Sequence, residues 1–311
     1  MSRAGSLPVH ELQLVTRNDH HLLPLPEGAT ISRSAFDAEL VRRAMAAGVC
    51  FLPEVTAVVE AVVSGEQRTV SLRSGSSVTQ LRGGIVVSAE GVLRSAVKHL
   101  PGMSSLVAAG SRLGLGAHVV DGSACYPSGR ITMVVGDAGY VGLARFESTS
   151  LNIAAAVDSR ALQAGRSMAG VMADILARAG QPIPDNLESA QWQGTPLLTS
   201  RPGRVAAERL FLVGDSAGYV EPFTGEGMAT ALESAAEIGP LVTRGVRGWT
   251  RGLIGEWTRA HRRIYRSRRW ICSSLTWMLR RPWSVAASIQ GCRWFPAVPR
   301  YLISRINRTS R

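Results

Sequence analysis

The residues with the clearest chemical potential lie between Leu210 and Ala235, where the chain reads LFLVGDSAGYVEPFTGEGMATALESA. Four apolar residues, Leu210 to Val213, have the length and composition of a short buried strand. Gly214 and Asp215 end it, a loop containing Pro222 and Gly225 follows, and small residues resume after Glu226 as the start of a helix. Glycine lets the backbone come close to a ligand, and the free N–H groups of a helix N-terminus favour an anion or an electron-rich oxygen. An Asp at the carboxyl end of a strand is well placed to accept hydrogen bonds from sugar hydroxyls. The stretch reads as a nucleotide-cofactor site. Glu221 and Glu226 flank the glycine loop, and two roles stand open for them: chemistry, or stabilisation of a first helical turn.

A second chemistry fits the same residues. Gly214-Asp215-Ser216-Ala217-Gly218 matches G-x-S-x-G, the nucleophile elbow of α/β-hydrolases, which would make Ser216 the nucleophile of an esterase. The surrounding sequence opposes it. No HGGG-type oxyanion segment lies upstream, no Asp follows Asp215, and His261, the sole histidine after Ser216, sits in an arginine-rich run. Pro222 also falls where the elbow helix should be running. His20, His21, His99 and His118 lack metal-ligand spacing, so surface or packing roles are expected and no metal. Cys50, Cys125, Cys272 and Cys292 are scattered without CxxC spacing and no signal-peptide pattern opens the chain, which fits a reducing cytoplasm.

The elements that would position these residues follow from periodicity. Residues 1–31 read as loop-like or extended. Ser34 has the place of an N-cap with Asp37 three residues later, and Phe36, Leu40, Val41, Ala44 and Met45 mark a helical apolar face that stops at Gly48. Short strands are expected at 49–52, 55–63 and 68–73, then at Ile85 to Ala89 before Glu90-Gly91. From about 103 to 200 the texture changes: stretches near 112–120, 131–135, 140–146 and 151–157 alternate like antiparallel strands. A helix is expected near 161–179, and Trp192 to Leu198 reads as a strand leading back to Leu210. The middle part reads as a second domain inserted into the first.

The 311 residues suffice for one large or two ordinary domains. Charge is distributed unevenly. From Arg244 onward there are 16 basic residues and one acid, Glu256, whereas the remainder carries a net charge of −3. Six of the seven tryptophans fall in this same region, interleaved with arginines: Trp249, Trp257, Trp270, Trp277, Trp283 and Trp294. Two compatible readings follow. The segment is a helical cap with a solvated basic face, or it makes peripheral contact with an anionic membrane. Nucleic acid is not expected, because no binding module accompanies the charge. No apolar run reaches the roughly 18–20 residues needed to span a bilayer.

GDSAGYVEPFTGEGMATAL is similar to the second FAD-contact motif of FAD-dependent monooxygenases and geranylgeranyl-reductase-like oxidoreductases. SRSAFDAELVRRAMAAGV resembles the helix such proteins carry between their two FAD motifs, and VVSAEGVLRSAVK resembles their segment of small residue, Ala, Asp, Gly with an Arg-Ser pair. RLGLGAHVV and GYVGLARFE suit the family's sheet-based substrate domain. The resemblance covers most of residues 22 to 245. It implies that Gly214 approaches the pyrophosphate, that Asp215 bonds the FAD ribose, and that Pro222, Gly225 and Gly227 line the isoalloxazine. Arg33 stands where family members often carry a cofactor-contacting Arg; a solvated charge at a helix start is the other reading.

Two departures qualify the resemblance. The family's first motif, a G-x-G-x-x-G turn after an N-terminal strand, is absent, and the small-Asp-Gly segment has Glu90 where Asp is usual and Ser88 where Gly is common. The expected fold is therefore mixed α/β. It comprises a partial, incomplete Rossmann-like FAD-binding domain (1–102 and 201–245), an inserted antiparallel substrate-binding sheet domain (103–200) and a basic helical C-terminal segment (246–311). The implied activity is that of a cytoplasmic FAD-dependent oxidoreductase, monooxygenase or double-bond reductase, with NAD(P)H as reductant. Its substrate would be apolar, a polyketide, quinone or isoprenoid. The alternative is a non-catalytic truncated remnant or membrane-associated interaction module.

Overall fold

A computed structural model of the chain describes residues 6–120, 125–146, 149–163, 165–221, 227–280, 284–285 and 290–291. In chain order the first elements are β1 (Leu7–Val15), β2 (His20–Thr30), α1 (Arg33–Ala46), β3 (Thr56–Ser64), β4 (Gln67–Ser74), β5 (Ser77–Gly83), β6 (Val86–Ser88) and β7 (Ser105–Val107). There follow β8 (Leu113–Val120), β9 (Arg130–Gly136), β10 (Gly139–Arg145), β11 (Ser150–Val157) and α2 (Met168–Arg178). The last are β12 (Gln193–Leu197), β13 (Ser200–Pro202), β14 (Ala206–Ala207), β15 (Leu210–Leu212), α3 (Gly227–Arg247) and α4 (Gly252–Leu279). The chain divides into two compact units, one of Met1–Phe51, Arg112–Thr195 and Trp277–Arg311, the other of Leu52–Ser111 and Pro196–Thr276.

The first unit is built on a seven-stranded sheet in the order β12-β8-β11-β10-β9-β1-β2. Alternation within its strands produces the core. Leu115 and Val119 of β8, Val141 and Leu143 of β10, and Leu151, Ile153 and Val157 of β11 point to one face, where they meet Met172, Ile175 and Leu176 of α2. Ser167 caps α2 by accepting from the Gly170 N–H at 2.9 Å. The sheet is mixed rather than purely antiparallel, because β1 runs parallel to β9. Residues 7–15 and 20–30, read as loop-like or extended, are thus long strands of this sheet. The prolines Pro24 and Pro26 are tolerated because β2 lies at the sheet's edge, where an absent N–H breaks no ladder.

Helix α1 also belongs to the first unit and has no buried residue. Its N-cap is Ser32, whose hydroxyl accepts from the Ala35 N–H, and the expected cap Ser34 instead bonds the Ser32 hydroxyl at 2.8 Å. The apolar face foreseen in its sequence is there, with Leu40 and Met45 exposed. Residues 49–52, expected as a strand, form none among the described residues, the Val49 N–H instead closing the end of α1 on the Ala44 carbonyl at 3.0 Å, and the helix expected from 161 begins at Met168 after a short 3₁₀ turn.

The second unit contains the antiparallel meander β3-β4-β5, the β13–β7 pair and a small sheet in the order β14-β15-β6. Leu210, Phe211 and Leu212 are completely buried at its centre, packed with Val97, Met103, Ile238, Leu241, Leu253 and Trp257. Three residues with no solvent contact form a strand because neighbours on both sides satisfy their backbone, and α3 and α4 supply the apolar cover.

Candidate functional site

Strands β6 and β15 are parallel neighbours, with Leu210 opposite Val86 and Leu212 opposite Ser88. Their carboxyl ends therefore lie side by side, the position at which open α/β sheets bind ligands. The Val213 N–H extends the pairing by donating to the Ser88 carbonyl at 3.0 Å. Each strand then turns. After β15 the chain forms a 3₁₀ turn over Gly214–Ala217 with Asp215 in its first positions. After β6 it forms a turn over Gly91–Leu93 that ends at Arg94 in the left-handed region.

The two turns are tied together. The Ser216 hydroxyl donates to the Gly91 carbonyl at 3.1 Å, and Ser216 is fully buried. Glu90 organises the turn that contains Gly91: its carboxylate accepts from Ser88 Oγ at 3.0 Å, from Ser95 Oγ at 2.9 Å and from the Ala96 N–H at 2.7 Å. Arg94, with no solvent exposure, reaches across to donate from Nη2 to Ser200 Oγ at 2.7 Å. Ser200 in turn exchanges backbone hydrogen bonds of 2.9 and 2.8 Å with Tyr219. Burial holds the Arg94 guanidinium below its ordinary range, against the opposing charge of Glu90. Among the described residues its Nε and Nη1 atoms have no hydrogen-bond partner.

Helices α3 and α4 fix the turn that bears Asp215 from the other side. Gly214 has φ +56°, and a Cβ built there would lie 3.4 Å from the Ala231 Cβ, so glycine admits both the backbone conformation and the close passage of α3. The Gly214 N–H donates to Ser234 Oγ at 3.0 Å, while the Tyr265 hydroxyl donates to the Gly214 carbonyl at 2.6 Å. The Trp257 indole N–H donates to the Leu212 carbonyl at 3.0 Å. Asp215 itself is half-buried. Burial raises the Tyr219 hydroxyl far above the usual phenol range, and the nearby acids Asp215 and Glu221 push the same way.

Gly214, Asp215 and Gly227 are therefore placed in the second unit, the first two in the turn and the third as the first residue of α3. Among the described residues a Cβ at Gly227 would meet nothing within 4 Å. Pro222 and Gly225 lie outside the described residues, as does Glu226. Glu221 is 1% exposed, its N–H donating to Thr199 Oγ1 at 3.4 Å. Arg33 belongs to α1 in the first unit, where it pairs with Asp37 at 3.0 Å on the exposed surface.

The elbow expected of a hydrolase is not formed. Its serine would stand exposed on the turn between strand and helix, whereas Ser216 is fully buried and bonded to Gly91. His99 meets the Val59 carbonyl at 3.0 Å and His118 packs on Phe146, consistent with packing roles. Among the described residues no cluster of side chains could hold a metal ion, and no helix is long and apolar enough to cross a membrane. Sequence reading missed Arg94, Ser200, Trp257 and Tyr265. Arg94 had a visible signal in the Arg-Ser pair after Glu90-Gly91; Trp257 was counted with the interleaved tryptophans although it is fully buried.

No family model and no curated protein matches the chain. Solved structures do. A flavoprotein/dehydrogenase from Cytophaga hutchinsonii is similar with a TM-score of 0.70 at 15% identity, over 89% of this chain and 73% of that one. A flavin-dependent brominase variant gives 0.71 at 15% identity, over 99% of this chain and 85% of its own. A geranylgeranyl bacteriochlorophyll reductase-like protein from Thermoplasma acidophilum gives 0.67 at 15% identity, over 83% and 67% respectively. The mixed α/β fold is thus that of flavin-dependent halogenases, dehydrogenases and reductase-like proteins.

Proposed function

We propose that the chain is an FAD-dependent oxidoreductase acting on an apolar small molecule such as a polyketide, quinone or isoprenoid. The reaction is hydroxylation or double-bond reduction, with NAD(P)H as reductant. The observation that carries this reading is the Gly214–Asp215 turn at the shared carboxyl end of two parallel strands, with its backbone pinned by Ser234, Trp257 and Tyr265. The fold likeness to flavoproteins supports it.

The residues fit the group. A half-buried carboxylate on a rigid turn suits the two hydroxyls of a ribose, and a helix N-terminus, such as that of α3 at Gly227, favours an electron-rich edge. When bound, the flavin supplies the redox chemistry and the protein supplies position and electrostatics. In this assignment Asp215 accepts from the ribose, Gly214 lets the backbone approach, and Pro222, Gly225 and Gly227 border the ring.

The test is uptake of FAD by the purified 311-residue chain, followed by the visible absorption of flavin and by equilibrium dialysis. Asp215→Ala should weaken binding about tenfold to a hundredfold, the equivalent of roughly 1.5–3 kcal/mol for hydrogen bonds to a charged group. If the folded wild-type chain takes up no flavin from excess FAD, or Asp215→Ala binds it equally well, the assignment fails. The non-catalytic reading would then take its place.

A further inference from the structure

We propose that the cleft beside β8 in the first unit is a binding site for a neutral, hydroxylated aromatic ring, independent of whether the Asp215 site holds FAD. The cleft encloses about 580 Å³, within the range of roughly 300–1,000 Å³ that small-molecule sites occupy. Its lining comes from β8, from β11 and from the chain between residues 186 and 193, all in the first unit. Strand alternation sets the floor. Val119 and Ile153 point into the core against α2, so Gly116, His118, Asn152 and Ala154 point to the opposite face. Across the β8–β11 ladder Gly116 stands opposite Ala154, and His118 stands opposite Asn152. One row is thus almost bare of side chains, and the next carries two hydrogen-bonding heads.

The walls of the cleft are tied in place. Asn186, in the left-handed region at φ +60°, donates from Nδ2 to the Val120 carbonyl at 3.0 Å. The Ser189 hydroxyl donates to the Asn186 carbonyl at 3.2 Å. The Trp192 indole N–H donates to the Leu187 carbonyl at 3.2 Å, and Leu187 is anchored in the core. On the sheet itself the His118 ring is set against Phe146 at 4.9 Å. A Cβ built on Gly116 would meet only the Ile153 carbonyl oxygen within 4 Å, at an ordinary 3.7 Å, so among the described residues no side chain fills the space above it. A ligand entering between fixed walls orders little of the protein, which favours binding.

The lining sets the chemistry of the ligand. Among its described residues there is no Asp, Glu, Lys or Arg, so a carboxylate or an ammonium would lose water without gaining a counter-ion. It offers instead the carboxamides of Asn152, Gln191 and Gln193 and the imidazole of His118, none of them hydrogen-bonded to another described residue. A carboxamide presents a donor and an acceptor together, and a hydroxyl is a small neutral group that answers either. The level floor of Gly116 and Ala154 takes the flat face of an aromatic ring, and the exposed Val120 adds apolar contact. A hydrocarbon of the same shape would displace water from the amides and return no hydrogen bond.

The experiment is equilibrium dialysis of the purified full chain, without added FAD, against 2-naphthol, naphthalene and 2-naphthoate, which share one ring system and differ in the polar group. 2-Naphthol should bind most tightly, ahead of naphthalene by about two- to tenfold for one hydrogen bond answered. Asn152→Leu should remove that advantage while leaving naphthalene no weaker. Gly116→Val and Ala154→Val each place a side chain on the floor and should abolish binding of both probes. Both positions lie in strands at ordinary φ, where valine is favoured, so a urea midpoint at or above the original separates blocked binding from lost folding. FAD uptake by Gly116→Val should match that of the unaltered chain, so failure of the flavin assignment and failure of this one read separately. The control Gln80→Leu removes an exposed amide from β5 of the second unit and should leave 2-naphthol binding within a factor of two or so. Four outcomes would each overturn the proposal: no uptake of 2-naphthol up to its solubility, naphthalene or 2-naphthoate bound as tightly, binding that survives both valine variants, or an equal loss in Gln80→Leu.

Discussion

Trp257→Phe isolates the contribution of α4 to the Asp215 turn. Trp257 has no solvent exposure, its indole N–H donates to the Leu212 carbonyl at 3.0 Å, and its ring meets Phe211 edge-on at 6.5 Å. Phenylalanine keeps the aromatic contact and deletes the donor. The Leu212 carbonyl, at the last residue of a strand with 0% exposure, is then left without that donor in a place water does not reach. A buried polar group deprived of its partner costs about 1–3 kcal/mol, and the smaller ring adds roughly 1 kcal/mol of lost packing. The expected loss is therefore about 2–4 kcal/mol, a large share of a typical 5–15 kcal/mol total. Urea unfolding followed by far-ultraviolet circular dichroism measures it as a lowered midpoint at unchanged slope. Trp249→Phe is the comparison: Trp249 contacts Phe211 at 5.7 Å but is only half-buried and should lose less. A loss below about 0.5 kcal/mol for Trp257→Phe would show that the hydrogen bond does not hold the strand end, and the account of α4 as a clamp would be wrong.

Gly214→Ala should cost about 1–2 kcal/mol from φ +56° alone, read in the same urea titration, and should weaken FAD uptake if the turn is the ribose site. Ser216→Ala should leave any hydrolysis of p-nitrophenyl acetate unchanged; a drop to the uncatalysed rate would restore the hydrolase reading. Tyr219, raised well above the phenol range by burial, binds its proton more tightly folded than unfolded. Its stabilising contribution is present below the unfolded value of 10.0 and declines as pH rises beyond it, so stability should fall above about pH 10 and fall less in Tyr219→Phe. Glu39, held near 2 by Arg42 and Arg43, has the opposite sign. Its support for α1 is complete above 4.5 and lost as pH falls toward 2, which backbone hydrogen exchange of α1 in the full chain would detect as earlier opening than in Glu39→Gln.

The strand, turn and helix around Asp215 were legible because their signals are consecutive: an apolar run, a Gly-Asp break, then small residues. The β-strands of the first unit were legible for the same reason, since 113–120, 130–136, 139–145 and 150–157 alternate cleanly. The pairing of β1 with β9 was not. It joins Glu11 to Arg130 and Val15 to Val134, and only the register, not the local pattern, reveals that residues 7–15 are interior to a sheet. The long-range hydrogen bonds from Trp257 and Tyr265 are hidden in the same way: nothing within α4 says which backbone carbonyl an indole or phenol will meet. Interleaved with arginines, Trp257 carries the pattern of an interfacial residue, yet its burial depends on Leu253 and Ile264 sharing its face. The positive φ of Arg94 is invisible for another reason, since arginine carries no propensity for that conformation.

The two acids at the strand ends show how neighbouring turns divide their duties. Glu90 stands where the resembling proteins usually have Asp, and its longer side chain lets one carboxylate reach Ser88, Ser95 and the Ala96 N–H at once. Those bonds are all local, within six residues of Glu90, so the carboxylate is engaged in shaping its own turn rather than facing outward. Charge at that place also offsets part of the cost of burying Arg94 beside it. Arg94 can then bridge to Ser200 and, through Ser200, to Tyr219 at the far end of the second turn. With Glu90 committed to structure, Asp215, whose turn is the one that the helices hold, is the acid that the proposed FAD assignment sets against a ligand's hydroxyls. A substitution at Glu90 should therefore act on the site through position, by loosening the turn that Ser216 grips, and a substitution at Asp215 through direct loss of an acceptor.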